Sequence, residues 1–207
     1  MTRAQGYAIK NYWHIFGISN ENTKDLDQIF GRRAKKVLDI GFGAGETLID
    51  LAQNNLEKDF IGIEVHKPGI GSLISKINKL SLKNIRVVQQ DADIYLQELS
   101  NKNKFEAVIL FYPDPWPKRK HKKRRLVNEE FIIKLERVLE NKGILICKTD
   151  WKDYGEQIYN LLSSNKNWIE LSYPQLPSDF KFFTETNFEK KAKLEGRESN
   201  FLLFKKV

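Results

Sequence analysis

The 207-residue sequence holds one cysteine, one methionine and three histidines, and each scarcity closes off a class of protein. Cys147 alone excludes a disulfide within the chain, and its setting in the apolar run GILIC fits a buried, unreactive thiol in a reducing cytoplasm. His14, His66 and His121 stand far apart without cysteine partners, a spacing that supports neither a structural nor a catalytic zinc site. No metal is expected. Long hydrophobic runs are missing too: the longest, AVILFYP at 107–113, is far short of a bilayer's width, and MTRAQGYAIKN has no apolar signal core. The expectation is a soluble cytoplasmic protein that makes no use of a membrane.

What is present suits a single folded domain, with 41% hydrophobic and 12% aromatic residues, enough to bury a core. The net charge of +8 is unevenly spread, because the run KRKHKKRR at 118–125 carries seven basic residues and the remainder is close to neutral. Charge gathered in one segment points to a local anionic partner, nucleic acid first among them.

An N-terminal helical stretch precedes KVLDIGFGAG, which reads as a buried strand entering a glycine turn. Helix and strand then alternate: GETLIDLAQNN, DFIGIEV, a helix over 68–80, IRVV, DIYLQEL, FEAVILF, EEFIIKLERVLE, GILICKT, and a helix over 153–163. Five strands with intervening helices predict parallel pairing, hence an α/β fold with a doubly wound, mostly parallel sheet. WIELSYP and SNFLLFKK alternate apolar and polar residues and predict a closing antiparallel strand pair, with a long polar loop over 175–197 between them.

Ligands of such sheets sit beyond the carboxyl ends of the strands, where four acids fall. In DIGFGAG, Gly41, Gly43 and Gly45 let the backbone pass close to a ligand, and Asp39 favours an ammonium group over a phosphate. Glu64 ends the second of these strands some twenty residues on, where an acid accepts the hydroxyls of a ribose. Asp91, after the third, either reaches an adenine amino group or caps the next helix. Together these describe S-adenosylmethionine as the ligand, with a nicotinamide dinucleotide as the alternative.

The fourth acid lies in FYPDPWPKRKHKKRR. Pro113 and Pro115 restrict Asp114 to a narrow range of geometry at a strand end, and the basic run beside it suits RNA phosphates. In sequence order DIGFGAG, GIEVH, the DA after the third strand, FYPDPWPKRKHKKRR, KTDW and TNFE closely resemble the bacterial tRNA (guanine-N7) methyltransferase family, over nearly the whole chain. That resemblance implies a class I methyltransferase, Rossmann-like fold and S-adenosylmethionine as donor, released as S-adenosylhomocysteine. It implies tRNA as partner, with a variable-loop guanine as acceptor.

On the matching positions Asp39, Glu64, Asp91 and Asp114 would line the donor site, with Asp114 also catalytic. Lys118, Asp150, Thr186, Asn187, Phe188 and Glu189 would contact the RNA. Within one domain, 1–35 would be an N-terminal helical segment, 36–165 the donor-binding core, and 166–207 the C-terminal strands with an RNA-contacting loop. One departure concerns the N-terminus: family members carry a basic arm ahead of TRAQGYAIKNYW, so either weaker RNA affinity or an arm on a longer parent chain is expected. An NAD-linked oxidoreductase and a non-catalytic RNA-binding protein of the same fold are the rival expectations.

Overall fold

In the computed structural model, which describes residues 1–18, 25–180 and 187–207, the apolar runs become strands covered on both faces. The chain opens with α1 (Arg3–Phe16), a two-residue β1 (Gly17–Ile18) and α2 (Leu26–Phe30). The expected alternation follows: β2 (Lys36–Ile40), α3 (Glu46–Asn54), β3 (Asp59–Ile63), α4 (Lys67–Leu80), β4 (Ile85–Val88), α5 (Ala92–Glu98), β5 (Phe105–Phe111), α6 (Glu129–Val138), β6 (Leu139–Thr149) and α7 (Lys152–Ser163). β7 (Trp168–Glu170), α8 (Asn187–Leu194) and β8 (Asn200–Lys206) complete it.

The eight strands form one sheet in the order β1-β4-β3-β2-β5-β6-β8-β7. β1 to β6 run parallel, and β8 lies antiparallel between β6 and β7, so the expected closing pair is present with β8 as its inner member. β2 and β3 are buried at every position, as strands of a sheet covered by helices on both faces must be. One face packs Leu38, Ile40, Val108 and Leu110 against Tyr95, Phe131, Leu135 and Ile158 from α5, α6 and α7. The other packs Val37, Phe60, Val87 and Ile109 against Phe16, Leu51, Ile74 and Ile77 from α1, α3 and α4.

In its described residues, 175–180 and 187–197, the expected loop is more ordered than its polarity suggests. Leu176 and Phe180 are buried against that second face, each contributing about 2 kcal/mol. Lys58 pairs with Asp179 and Glu106 and lies 4.7 Å from the Phe180 ring, which pins this stretch against the second face. Further on, α8 stands where sequence polarity predicted a long loop.

Candidate active site

The winding reverses between β2 and β5, and the C-terminal edge of the sheet carries, in spatial order, Asp91 after β4, Glu64 after β3, Asp39 near the end of β2, Asp114 after β5 and Asp150 after β6. The topology thus places five of the expected acids along one edge.

The glycine turn between β2 and α3 holds Gly41, Gly43 and Gly45 in the left-handed region, at φ 74, 58 and 79°. Side chains there would be strained, and a Cβ on Gly41 would meet nothing within 4 Å, so the space before the loop is open. Gly69, early in α4, is also required: a Cβ there would come within 2.3 Å of the Gly43 carbonyl oxygen.

Asp39 is 4% exposed, and burial together with the neighbouring Glu64 raises its carboxyl to about 7. Neither acid is ion-paired among the described residues. Glu64, expected to accept ribose hydroxyls, already accepts three backbone N–H groups. Its Oε2 accepts from the Gly43 N–H at 3.0 Å, and Oε1 accepts from the Val65 and His66 N–H groups at 2.8 and 2.9 Å. A carboxylate offers about four lone-pair sites, so one remains, and accepting both ribose hydroxyls requires the Gly43 bond to open. Asp91 takes the helix-cap reading: Oδ1 accepts from Asp93 and Ile94 at 2.9 and 3.3 Å, which leaves only Oδ2 for a ligand.

Asp114 is exposed and makes no hydrogen bond or ion pair among the described residues. Its turn is bracketed by Tyr112 and Trp116 at φ 52 and 42°, a left-handed backbone that costs bulky residues about 1–2 kcal/mol each. Surrounding bonds hold it there. The Tyr112 N–H donates to the Lys148 carbonyl at 2.7 Å, and the Tyr112 and Ser199 hydroxyls lie 2.7 Å apart. Downstream, Arg125 Nε donates to the Pro115 carbonyl at 2.8 Å.

Asp150 Oδ2 accepts from Arg197 Nε at 2.7 Å, so the residue expected to touch RNA also anchors the far end of the polar segment. Lys118 is exposed just before a 3-10 helix at Arg119–Arg124. Thr186 lies outside the described residues, as do the side chains of Asn187, Phe188 and Glu189, whose backbone begins α8.

A family model described as "Putative methyltransferase" matches residues 33–202. A relative from Nitrosomonas eutropha named tRNA (guanine-N(7)-)-methyltransferase is 39% identical over 207 residues, covering 100% of this chain and 92% of that one. Its namesake from Buchnera aphidicola subsp. Schizaphis graminum is also 39% identical, covering 99% and 87%. The chain belongs to the tRNA (guanine-N7)-methyltransferase family. Among solved structures, the 16S rRNA methyltransferase KamB superposes with a TM-score of 0.61 at 12% identity, covering 87% of this chain and 91% of that one. An rRNA methylase from Streptococcus thermophilus does so at 0.56 and 13%, covering 84% and 87%. Likeness at that identity shows the class I methyltransferase fold.

Within this family member the basic run is not uniform. Lys118, Arg119, Lys120 and Lys123 are exposed and ion-paired with nothing among the described residues. Arg124 lies 5.0 Å from the Trp116 ring, whose other neighbour is His121 in an edge contact at 5.8 Å. Lys122 pairs with Asp153. Arg125 is buried, so the structure removes it from the set expected to bind phosphate. Its guanidinium also donates to Gln157 Oε1 at 2.8 Å and to both Asp153 oxygens at 2.9 and 3.0 Å. Burial works against the charge on Asp153, yet bonds from Lys122 and Arg125 hold its carboxyl below the usual range. Sequence reasoning passed over Asp153 and Gln157, although their four-residue spacing puts both on one face of α7.

Proposed function

We propose that this chain transfers a methyl group from S-adenosylmethionine to N7 of a variable-loop guanine in tRNA, releasing S-adenosylhomocysteine. The observation that carries the donor assignment is the pair Asp39 and Glu64, two acids brought together before an open glycine turn with no cation to offset them among the described residues. Such a pair suits a ligand bearing an ammonium group and a ribose. A nicotinamide dinucleotide would bring its diphosphate against a buried carboxylate.

The donor supplies a methyl group already activated on sulfonium sulfur. Guanine N7 carries a lone pair and no proton at neutral pH, so no base is needed to create the nucleophile. N7 forms the new bond to carbon, the carbon–sulfur bond breaks with its electron pair staying on sulfur, and the purine takes up the positive charge. The residues therefore orient and stabilise. Asp114, rigid and without a protein partner among the described residues, accepts hydrogen bonds from guanine N1–H and the exocyclic amino group and offsets the ring charge as it develops. The exposed lysines and arginine at 118–123 engage tRNA phosphates.

Incubation with tRNA and methyl-labelled donor, followed by mapping of the labelled nucleotide, tests this reading. N7-methylguanosine in the variable loop is expected, together with donor binding and no NAD binding on titration. Label at another base or atom refutes the assignment, and RNA binding without transfer favours a non-catalytic RNA-binding protein.

A further inference from the structure

We propose that Arg125 is a positioning residue for methyl transfer: held by Asp153 and Gln157 of α7, its guanidinium fixes the Pro115 carbonyl and so the seat of Asp114. This rests on the function proposed above.

Arg125 is 3% exposed and cannot reach a phosphate without leaving its site, which sets it apart from the other cations of its run. Its planar fork is spent on geometry. One edge meets Pro115, the others meet Gln157 and both oxygens of Asp153, and its face lies 4.7 Å from the Tyr154 ring. These contacts fix both its position and its plane, which a lysine ammonium cannot reproduce.

The Pro115 carbonyl is the first acceptor downstream of Asp114, and both prolines restrict the backbone between them. Upstream the turn hangs from Lys148 and Ser199 through Tyr112. With Tyr112 and Trp116 both in the left-handed region, the turn relaxes when either anchor is removed. Asp153 also takes Lys122 from the exposed side of the basic run, so α7 ties the buried clamp to the surface that faces an anionic polymer.

Arg125→Met and Arg125→Lys are compared with wild type in single-turnover methyl transfer to tRNA at saturating donor. Donor Kd, tRNA Kd with its salt slope, and hydrogen exchange of the amides at 112, 114 and 116 are measured alongside. The rate is expected to fall tenfold or more in Arg125→Met and by less in Arg125→Lys. Both Kd values and the salt slope should stay within twofold, while the three amides exchange faster. Asp153→Asn leaves Arg125 and the turn intact in sequence and is expected to lower the rate by a smaller factor, which keeps the idea testable if Arg125→Met does not fold. An undiminished rate in the folded variants overturns the proposal. So does a loss that shows itself as weaker tRNA binding with a flatter salt slope, since Arg125 would then be an RNA contact. Wild-type protein that moves no methyl group to tRNA overturns the functional reading and this role with it; an active wild type beside an unimpaired Arg125→Met overturns the role alone.

Discussion

The Gly43 N–H donates to Glu64 Oε2 at 3.0 Å, fastening the glycine turn after β2 to the end of β3. In the proposed donor site Glu64 would thereby shape the crevice as well as face it. Glu64→Ala should weaken donor binding by about 10- to 100-fold, the loss of one or two charge-assisted hydrogen bonds. Glu64→Gln, whose single carbonyl oxygen cannot serve all three backbone N–H groups, should fall between. Calorimetric titration with S-adenosylhomocysteine measures both, and unchanged affinity in Glu64→Ala would remove the residue from the donor site.

Asp39 makes the fold and the ligand respond to pH in opposite directions. Its carboxyl titrates at about 7 in the folded chain and at about 4 when unfolded. Between those values the folded state keeps a proton that the unfolded state releases, so Asp39's contribution to stability declines as pH rises from about 4 to about 7. Asp39→Asn should therefore be more stable than wild type at pH 8, by on the order of 2–4 kcal/mol, with the difference gone near pH 4. Urea denaturation at both pH values reads this. An ammonium ligand needs the ionised acid, so wild-type donor affinity should tighten as pH rises through 7, and the Asn variant should lack that dependence.

Asp114→Asn keeps the shape of the turn and removes the charge. Single-turnover methyl transfer is expected to slow by about 10- to 100-fold, equivalent to about 1.4–2.7 kcal/mol of barrier, with donor Kd within twofold of wild type. Full activity in this variant would show that the carboxylate neither positions the guanine nor offsets its charge.

Serine at Lys118, Arg119, Lys120 and Lys123 should weaken tRNA binding and flatten its salt dependence, by about 0.7–0.9 in log–log slope for each phosphate that is no longer neutralised. These four are exposed and unpaired among the described residues, so their removal should leave the melting temperature almost unchanged. Filter binding across a salt series decides it, and an unaltered slope would make the run a solvated surface.

The strands and the order of the acids along their ends were legible because a sheet covered on both faces must be written as near-continuous apolar runs, and acids that follow such runs stand out. What escaped was set by tertiary closure. In KRKHKKRR nothing local separates Arg125 from Arg124; only the arrival of α7 with Asp153 and Gln157 buries one and leaves the other on Trp116. Asp91 was ambiguous because a helix cap and a ligand acceptor need the same side chain at the same strand end, and the cap claims one of its oxygens. α8 was missed because of its few apolar residues only Ala192 is buried among those described, too faint a periodic signal within a polar stretch.

The place of β8 between β6 and β7 sets an order of events during synthesis. Ser199 meets Tyr112 across 87 residues of sequence and Arg197 meets Asp150 across 47, so two anchors of the crevice come from the segment that leads into β8. The parallel centre and the cationic 3-10 helix precede them. A nascent chain thus presents its cationic segment before Ser199 and Arg197 reach the crevice, and the complete crevice waits for one late antiparallel insertion.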